Sequence, residues 1–257
     1  GNIIETKDFT WNLGYNVTWN KNKIDELVGG DESSYRIPYG GLPIGDKSTD
    51  GIKAYHVGQA VSTYFVYQQV YDEKGEPIRG CYVDRDHNGV INDGDRYYYK
   101  KADPDVTMGL TSKFIYKNWD LSFSMRANFN NYVYNAVEAS NANLSLSSLY
   151  SGAAWHGVVD MDLQKNWTAA GAKDVLSDYF IQNASFLKLD NITLGYSFDR
   201  LFHNGSFSGL SGRIYATAQN VLTVTKYKGL DPEVNGGYDS NIYPRPFTGI
   251  LGISLNF

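Results

Sequence analysis

Residues 9–20 read Phe9-Thr10-Trp11-Asn12-Leu13-Gly14-Tyr15-Asn16-Val17-Thr18-Trp19-Asn20. The odd positions carry Phe9, Trp11, Leu13, Tyr15, Val17 and Trp19, and the even positions carry only small or polar residues. Side chains along a strand point alternately to two faces, so this period-two pattern predicts a strand with one apolar and one wet face. Its length suits a tilted membrane strand, which needs about 9–11 residues to cross the hydrocarbon.

The pattern recurs outward from there. Trp119, Leu121, Phe123, Met125, Ala127 and Phe129 alternate with Asp120, Ser122, Ser124, Arg126, Asn128 and Asn130. Phe247, Gly249, Leu251, Ile253, Leu255 and Phe257 alternate with Thr248, Ile250, Gly252, Ser254 and Asn256. Weaker candidates at 60–71, 78–84, 106–116, 186–198 and 212–224 bring the expectation to about eight strands. The connections at Glu5–Asp8 and Lys117-Asn118 are short, whereas Lys21–Gln59, Val133–Ser185 and Thr225–Pro246 are long. Short turns on one rim and long loops on the other are the habit of outer-membrane barrels.

A soluble β-sandwich also alternates. Trp and Tyr near strand ends, and wet faces of Asn, Ser, Thr, Arg and Asp, favour a transmembrane antiparallel β-barrel, all-β in class. In that topology the last strand descends to end on Phe257 in the periplasm, and every long loop lies outside the cell. A short helix is expected within one of those loops, over Asp160–Gly171, with Asp160 as N-cap and Gly171 as stop.

Composition agrees. Of 257 residues, 42% are hydrophobic and 20% charged, which excludes a disordered chain. The 21 Tyr, 12 Phe and 5 Trp suit strands better than helices. A net charge of −5, without a basic stripe, argues against nucleic acid as a partner. No run approaches the roughly 20 apolar residues of a spanning helix. The mean hydropathy of −0.40 is compatible with strands that bury only alternate residues. The chain opens at Gly1-Asn2-Ile3 without a basic-then-apolar leader, and is expected to be an internal fragment of a longer protein.

The sharpest chemical motif runs from Asp84 to Asp95. Asp84, Asp86, Asn88, Val90 (through its carbonyl), Asn92 and Asp95 fall at the alternating positions of a calcium loop, with Gly89 at the sharp turn. Oxygens at that spacing converge on one hard cation. Asp replaces the usual Glu at the last position, and no EF-hand helices flank the loop, so a structural calcium is expected rather than a sensor. Without metal, the same residues would make an Asx-rich turn.

Enzyme signatures are missing from the sequence. His56, His87, His156 and His203 stand apart without zinc spacing, and there is no nucleophile elbow or phosphate loop. Asp231-Pro232-Glu233 offers a carboxylate pair of the glycosidase kind, but reads more simply as a rigid surface loop. Cys81 reads as a packing residue. Trp155, Tyr227, Tyr238 and Tyr243, all in long connections, are candidates to stack on a ligand.

The chain resembles the C-terminal part of SusC/RagA-like TonB-dependent transporters of Bacteroidota. The resemblance is carried by Phe9-Thr10-Trp11 with Asn20-Lys21-Asn22-Lys23-Ile24, Tyr82-Val83-Asp84 before the calcium-type loop, and Tyr116-Lys117-Asn118-Trp119-Asp120-Leu121. It continues through Ala184–Tyr196, Gln219-Asn220-Val221-Leu222-Thr223 and Gly229-Leu230-Asp231-Pro232-Glu233-Val234 to Phe257. It implies a plugged barrel of about 22 strands, of which this chain is the last third, with the plug outside it. It also implies import of oligosaccharides or peptides, energy from the TonB complex, a SusD-like lipoprotein lid, outer-membrane lipid around the wall, and Phe257 as an assembly signal. The competing reading is a soluble, calcium-stapled, carbohydrate-binding β-sandwich.

Overall fold

The computed structural model describes residues 1–27, 35–40, 51–141, 176–199, 210–240 and 243–256. In chain order the strands are β1 (Asn2–Glu5), β2 (Phe9–Trp19), β3 (Ile37–Tyr39), β4 (Lys53–Tyr55), β5 (Thr63–Tyr67), β6 (Gln69–Tyr71), β7 (Pro77–Tyr82) and β8 (Arg96–Lys101). There follow β9 (Val106–Tyr116), β10 (Trp119–Phe129), β11 (Tyr132–Asn135), the short helix α1 (Ala136–Asn141), β12 (Ile181–Asn183) and β13 (Phe186–Phe198). The chain ends with β14 (Ser211–Thr225), β15 (Tyr238–Asp239) and β16 (Thr248–Asn256).

A seven-stranded sheet, ordered β1-β2-β9-β10-β13-β14-β16, forms a wall. Every neighbouring pair in it is antiparallel, and the order follows the chain, as in an up-and-down barrel opened flat. Two of the expected wall strands, 60–71 and 78–84, lie instead in small sheets within the connection between β2 and β9. Their residues are β-formers, but they pair locally into β5–β8 and β6–β7. The wall gains the short β1, which the alternation did not mark.

Residues directly opposed in an antiparallel pair share a face, so the register shows where each side chain goes. Phe9 opposes Tyr116, Tyr116 opposes Trp119, and Trp119 opposes Tyr196. An aromatic row therefore runs across four strands next to the short turns, with Trp119 and Tyr196 rings 4.8 Å apart. Behind it Trp11 stacks on Phe114 at 5.6 Å. The buried Ser112 is a polar exception on this apolar face, and its Oγ accepts from Trp11 Nε1 at 3.0 Å. The opposite face presents Asn12, Asn16, Thr111, Ser122, Arg126, Asn191 and Thr217. No second sheet packs over the apolar face among the described residues, and Leu251 there is 86% exposed. A sandwich would bury that face, so the wall corrects the sandwich reading.

One irregularity keeps the two faces pure. Ser124 opposes Asn191 and Met125 opposes Leu189, leaving Asp190 as an extra residue. This β-bulge shifts the alternation by one. Leu187 and Leu189 lie on the apolar face before it, and Ile192, Leu194 and Tyr196 after it. On the other side of β13 the shift falls between Leu189–Leu222 and Asn191–Gln219, where Asn220 adopts a φ of 53°. Asn is among the few residues that tolerate this left-handed conformation, and its Nδ2 donates to the Pro246 carbonyl at 2.8 Å.

The two-residue turn 117–118 and residues 6–8 lie on one rim, where β13 also ends at Phe198 and Asn256 of β16 opposes Ser211 at the start of β14. The described parts of the connections 20–105, 130–185 and 226–247 leave from the other rim and fold together as a cap. Its sheets are β3-β4-β5-β8 and β12-β11-β15, around a core that includes Ile52, Tyr64, Val66, Tyr67, Tyr134 and Phe180. The Tyr64 hydroxyl sits between the carbonyls of Tyr132 (2.9 Å) and Gly237 (2.6 Å), joining all three connections. Arg96 is buried, its Nη2 donating to Phe65 O and Gly51 O and its guanidinium lying 4.4 Å from the Phe65 ring centre.

Gly195 illustrates how tightly the polar face is fitted. Arg213 on β14 and Asp120 on β10 meet across β13 in a bidentate pair, at 2.8 and 2.6 Å, over this glycine. A Cβ at Gly195 would stand 2.5 Å from Arg213 Nη2 and from Asp120 Oδ1. Gly195→Ala is expected to cost about 1–3 kcal/mol, read as a lower temperature of heat-induced gel shift. Gly249→Ala, where a Cβ meets nothing nearer than Phe247 at 4.0 Å, should leave it unchanged.

Candidate functional site

Near the long-connection rim the polar face carries Arg126 on β10 and Lys188 on β13, directly opposed in register. Arg126 donates from Nε and Nη2 to both oxygens of the bulge residue Asp190, at 2.6 and 2.9 Å. Its Nη1 donates to Glu233 Oε1 at 2.6 Å. The buried Lys188 donates to Asp231 Oδ1 at 2.7 Å and to Glu233 Oε2 at 3.1 Å. Arg245 reaches Glu233 Oε2 at 2.7 Å and lies 3.4 Å from Asp231 Oδ2. Three cations thus meet three carboxylates. Burial opposes the charge on Glu233, but donation from Arg126 and Lys188 outweighs it and holds the carboxyl down at about 2.

A recess of about 660 Å³ opens beside this cluster, lined in part by Gly14, Asn16, Gly109, Thr111, Arg126 and Asp190. Gly109 is required there, because a Cβ would stand 2.9 Å from Asn16 Oδ1. The lining of the recess combines the amide, hydroxyl and mutually paired charged groups of Asn16, Thr111, Arg126 and Asp190 with the apolar Tyr15, Met108, Leu110 and Met125. It suits contact with a polar molecule and offers no free charge among the groups of the cluster.

The second candidate is the Asp84–Asp95 loop. Carboxylate oxygens of Asp84, Asp86 and Asp95 lie within 4.8 Å of one another. Gly89 has a φ of 79°, and its N–H donates to Asp84 Oδ2 at 2.8 Å. Asn88 N–H donates to Asp86 Oδ1 at 3.1 Å, and Asn92 Nδ2 to the Val90 carbonyl at 3.0 Å. Asp95 is fully enclosed and accepts from the N–H groups of Asn92 (2.8 Å) and Arg85 (2.7 Å). These hydrogen bonds hold its carboxyl below the usual range, with Asn92 contributing most. Asp86 N–H adds a longer contact at 3.4 Å, so the Asp95 carboxylate accepts three backbone donors. The loop is tied to the cap by Tyr67, whose hydroxyl donates to Asp93 Oδ1 at 3.1 Å.

The sequence-predicted ligand residues are not brought together. Tyr227 is buried, its hydroxyl donating to Asp239 Oδ2 at 2.5 Å. Tyr238 is half-buried and stacks on Tyr134 at 5.6 Å. Tyr243 is exposed. Trp155, the expected helix over Asp160–Gly171 and Phe257 lie outside the described residues. Cys81 is exposed rather than packed. Asp231 and Glu233 form neither a bare surface loop nor a glycosidase pair, since each is held by cations and a carboxyl at about 2 is no proton donor near neutrality. Arg126, Lys188, Asp190 and Arg245 were not singled out as site residues. The sequence signal that marked the cluster's position was the break in alternation at Asp190.

The chain is 51% identical, over 99% of its length, to the TonB-dependent receptor SusC of Bacteroides thetaiotaomicron. The TonB-dependent receptor P3 of Formosa agariphila is 28% identical over 99% of the chain. The structure superimposes on the RagAB peptide transporter with a TM-score of 0.72 at 22% identity, covering 100% of this chain and 28% of that one. The chain spans 25% of the length of SusC and 27% of that of P3. No family model matches it.

Among the described residues of the cap, Lys53 is a buried cation that can be titrated. Lys53 is buried against the rings of Tyr64 and Tyr39, and its ammonium donates to the Gly236 carbonyl. Desolvation pushes its pKa from 10.5 down to about 8, against the attraction of Asp103. Between those values the unfolded chain holds a proton that the folded chain lacks, so stability rises with pH across that window and is flat below it. Melting of the full-length protein at pH 7.5 and 9.5 should show this rise, and Lys53→Met should remove it.

Proposed function

We propose that this SusC/RagA-like chain is a section of the barrel wall of a TonB-dependent receptor in a bacterial outer membrane. Its apolar face meets lipid, and its polar face lines the route of an imported oligosaccharide or peptide. The observation that carries this reading is the two-faced register of six long strands, kept in phase through the bulge at Asp190 and edged by the Phe9–Tyr116–Trp119–Tyr196 row. A membrane barrel needs all wall backbone groups paired between strands, a lipid-facing apolar band and an aromatic girdle. Relatives named as TonB-dependent receptors support the same conclusion. The remaining strands, plug and TonB contact then belong to the rest of such a receptor. A SusD-like lipoprotein would close the side on which the cap sits. Because the Arg126, Lys188 and Arg213 charges on the polar face are each paired while Asn, Thr, Ser and Gly remain, a neutral, hydroxyl-rich oligosaccharide fits better than a strongly charged peptide.

The test is made on the full-length receptor in its source cells. It is expected in the outer-membrane fraction, and its deletion or loss of TonB should abolish uptake of the oligosaccharide it serves. Leu251→Lys, which puts a charge on the apolar face, should lower its membrane level, in line with a cost of about 2–4 kcal/mol at mid-bilayer. Recovery in the soluble fraction, or indifference to that lysine, would sink the reading.

The Asp84–Asp95 loop is proposed to hold a structural calcium ion. Its donors are all hard oxygens, and three carboxylates face one another. Gly94 supports the fit, since a Cβ there would press to 2.8 Å from Asp86 Oδ2. A cation would relieve the repulsion among the carboxylates and stiffen the entry into β8. Calcium chelation should increase amide exchange in residues 84–101 of the full-length receptor, and calcium but not magnesium should restore protection. Asp86→Asn should mimic chelation, and a chelator without effect would overturn the assignment.

A further inference from the structure

The apolar face of the wall is not evenly filled. Val17, Met108, Ala127 and Leu187 oppose one another in one row across β2, β9, β10 and β13. Tyr15, Leu110 and Met125 form the row beneath it, towards the short-turn rim, and Trp19, Val106 and Phe129 form the row above. Ala127 is the smallest side chain in these rows. It is 5% exposed, whereas Val17, Met108 and Leu187 beside it are each 40% exposed or more. Its methyl group floors a recess of about 320 Å³ with an almost wholly apolar surface, bordered by Tyr15, Val17, Met108, Met125 and Leu187. Rows on one face stand roughly 7 Å apart along the strands, so the recess lies just inside the Trp19 row, in the long-connection half of the wall.

Above that row, two lysines attend one carboxylate. Asp105 is tied between the ends of β2 and β10, its carbonyl accepting from Asn20 N–H at 2.9 Å and its N–H donating to the Phe129 carbonyl at 3.0 Å. Lys101, largely enclosed, pairs with Asp105 Oδ1 at 2.5 Å, and Asn130 Nδ2 donates to Oδ2. Lys21, two residues beyond Trp19, is exposed and brings a second positive charge to bear on a carboxylate that Lys101 already matches. We infer that the recess holds one acyl chain of a phosphate-bearing lipid, with Lys21 at its headgroup, a conclusion that rests on the barrel-wall reading above. A flat protein surface would bridge a dent of this size and leave it empty, whereas a single flexible chain enters it. Within a bilayer an acyl chain gains no hydrophobic energy by leaving its neighbours, so its retention comes from close packing in the recess and from the charge at the rim. Packing selects the chain and charge selects the headgroup, and the two are separable by substitution.

The experiment uses the full-length receptor in a mild non-ionic detergent, titrated with dipalmitoyl phosphatidic acid or dipalmitoyl phosphatidylcholine, with bound copies counted by native mass spectrometry. The first copy of phosphatidic acid is expected to bind at a concentration about fivefold lower than that of phosphatidylcholine, the preference one lysine gives at a membrane surface. Ala127→Phe, which fills the recess, should weaken the first copy of both lipids severalfold, and Ala127→Leu should act in the same direction if the larger ring disturbs the wall. Leu251→Phe, on the same face outside the recess, should change neither. Lys21→Gln should erase the preference for phosphatidic acid and leave phosphatidylcholine binding as it was. First-copy binding indifferent to both Ala127 variants would overturn the acyl site, and a preference that survives Lys21→Gln would overturn the headgroup contact. Displacement of phosphatidic acid by an equal concentration of inorganic phosphate would make this an ion site instead. A dimer that Ala127→Phe dissolves would assign the recess to a second copy of the chain and overturn the lipid. A receptor that stays dispersed once detergent is removed would fail the wall reading itself, and the recess with it.

Discussion

In an antiparallel sheet, a slip of one residue turns every later side chain to the wrong face. A wall whose two faces differ in polarity has little tolerance for that. Each of its long strands keeps the constraint, and β13 keeps it only by inserting Asp190. Without that extra residue, either Leu187 and Leu189 or Ile192 and Leu194 would point into the polar side. The extra residue is also an acid, placed where Arg126 takes both of its oxygens. One bulge thus corrects the phase of the strand and supplies the anion that makes an arginine tolerable on the wall.

Charge on the polar face follows a consistent rule. Arg213 is matched by Asp120 across a glycine, and Arg126 and Lys188 are matched by Asp190, Asp231 and Glu233. Exposed pairs of this kind contribute little stability singly. Their effect here is directional. They orient long side chains flat against the wall, keep the local field small, and draw a connection inward that chain length alone would allow to swing free.

The alternation at Phe9–Asn20, Trp119–Asn130 and 247–257 made the wall legible in sequence, because strands with one apolar and one polar face must repeat one rule. The short turn at 117–118 and the long connections were equally plain. The strands 60–71 and 78–84 were misplaced because a cap strand with one buried face obeys the same period of two. Nothing local tells Tyr64 and Val66, buried in the cap, from Tyr15 and Val17, exposed on the wall. At 186–198 the signal was weak for a physical reason: the bulge breaks the period that defines the signal. The convergence of Asp84, Asp86 and Asp95 was readable since these residues lie within twelve consecutive positions. The Arg126–Glu233 cluster was not, since its members come from two strands and a connection that are distant in sequence.

The cap explains why these long connections do not behave as separate loops. Their described residues share one core, in which Ile52, Tyr64 and Val66 of the first meet Tyr134 and Phe180 of the second, with Tyr238 of the third packed against it. Residues 231–239 touch both bodies, the wall through Asp231 and Glu233, and the cap through Gly236, Gly237 and Tyr238. Those two holds differ in kind. The cap end is dry, backbone-bonded and stacked, whereas the wall end is ionic and partly wet. A substitution that removes one charge therefore acts on the wall end alone, whereas the cap end changes only by repacking of the buried core.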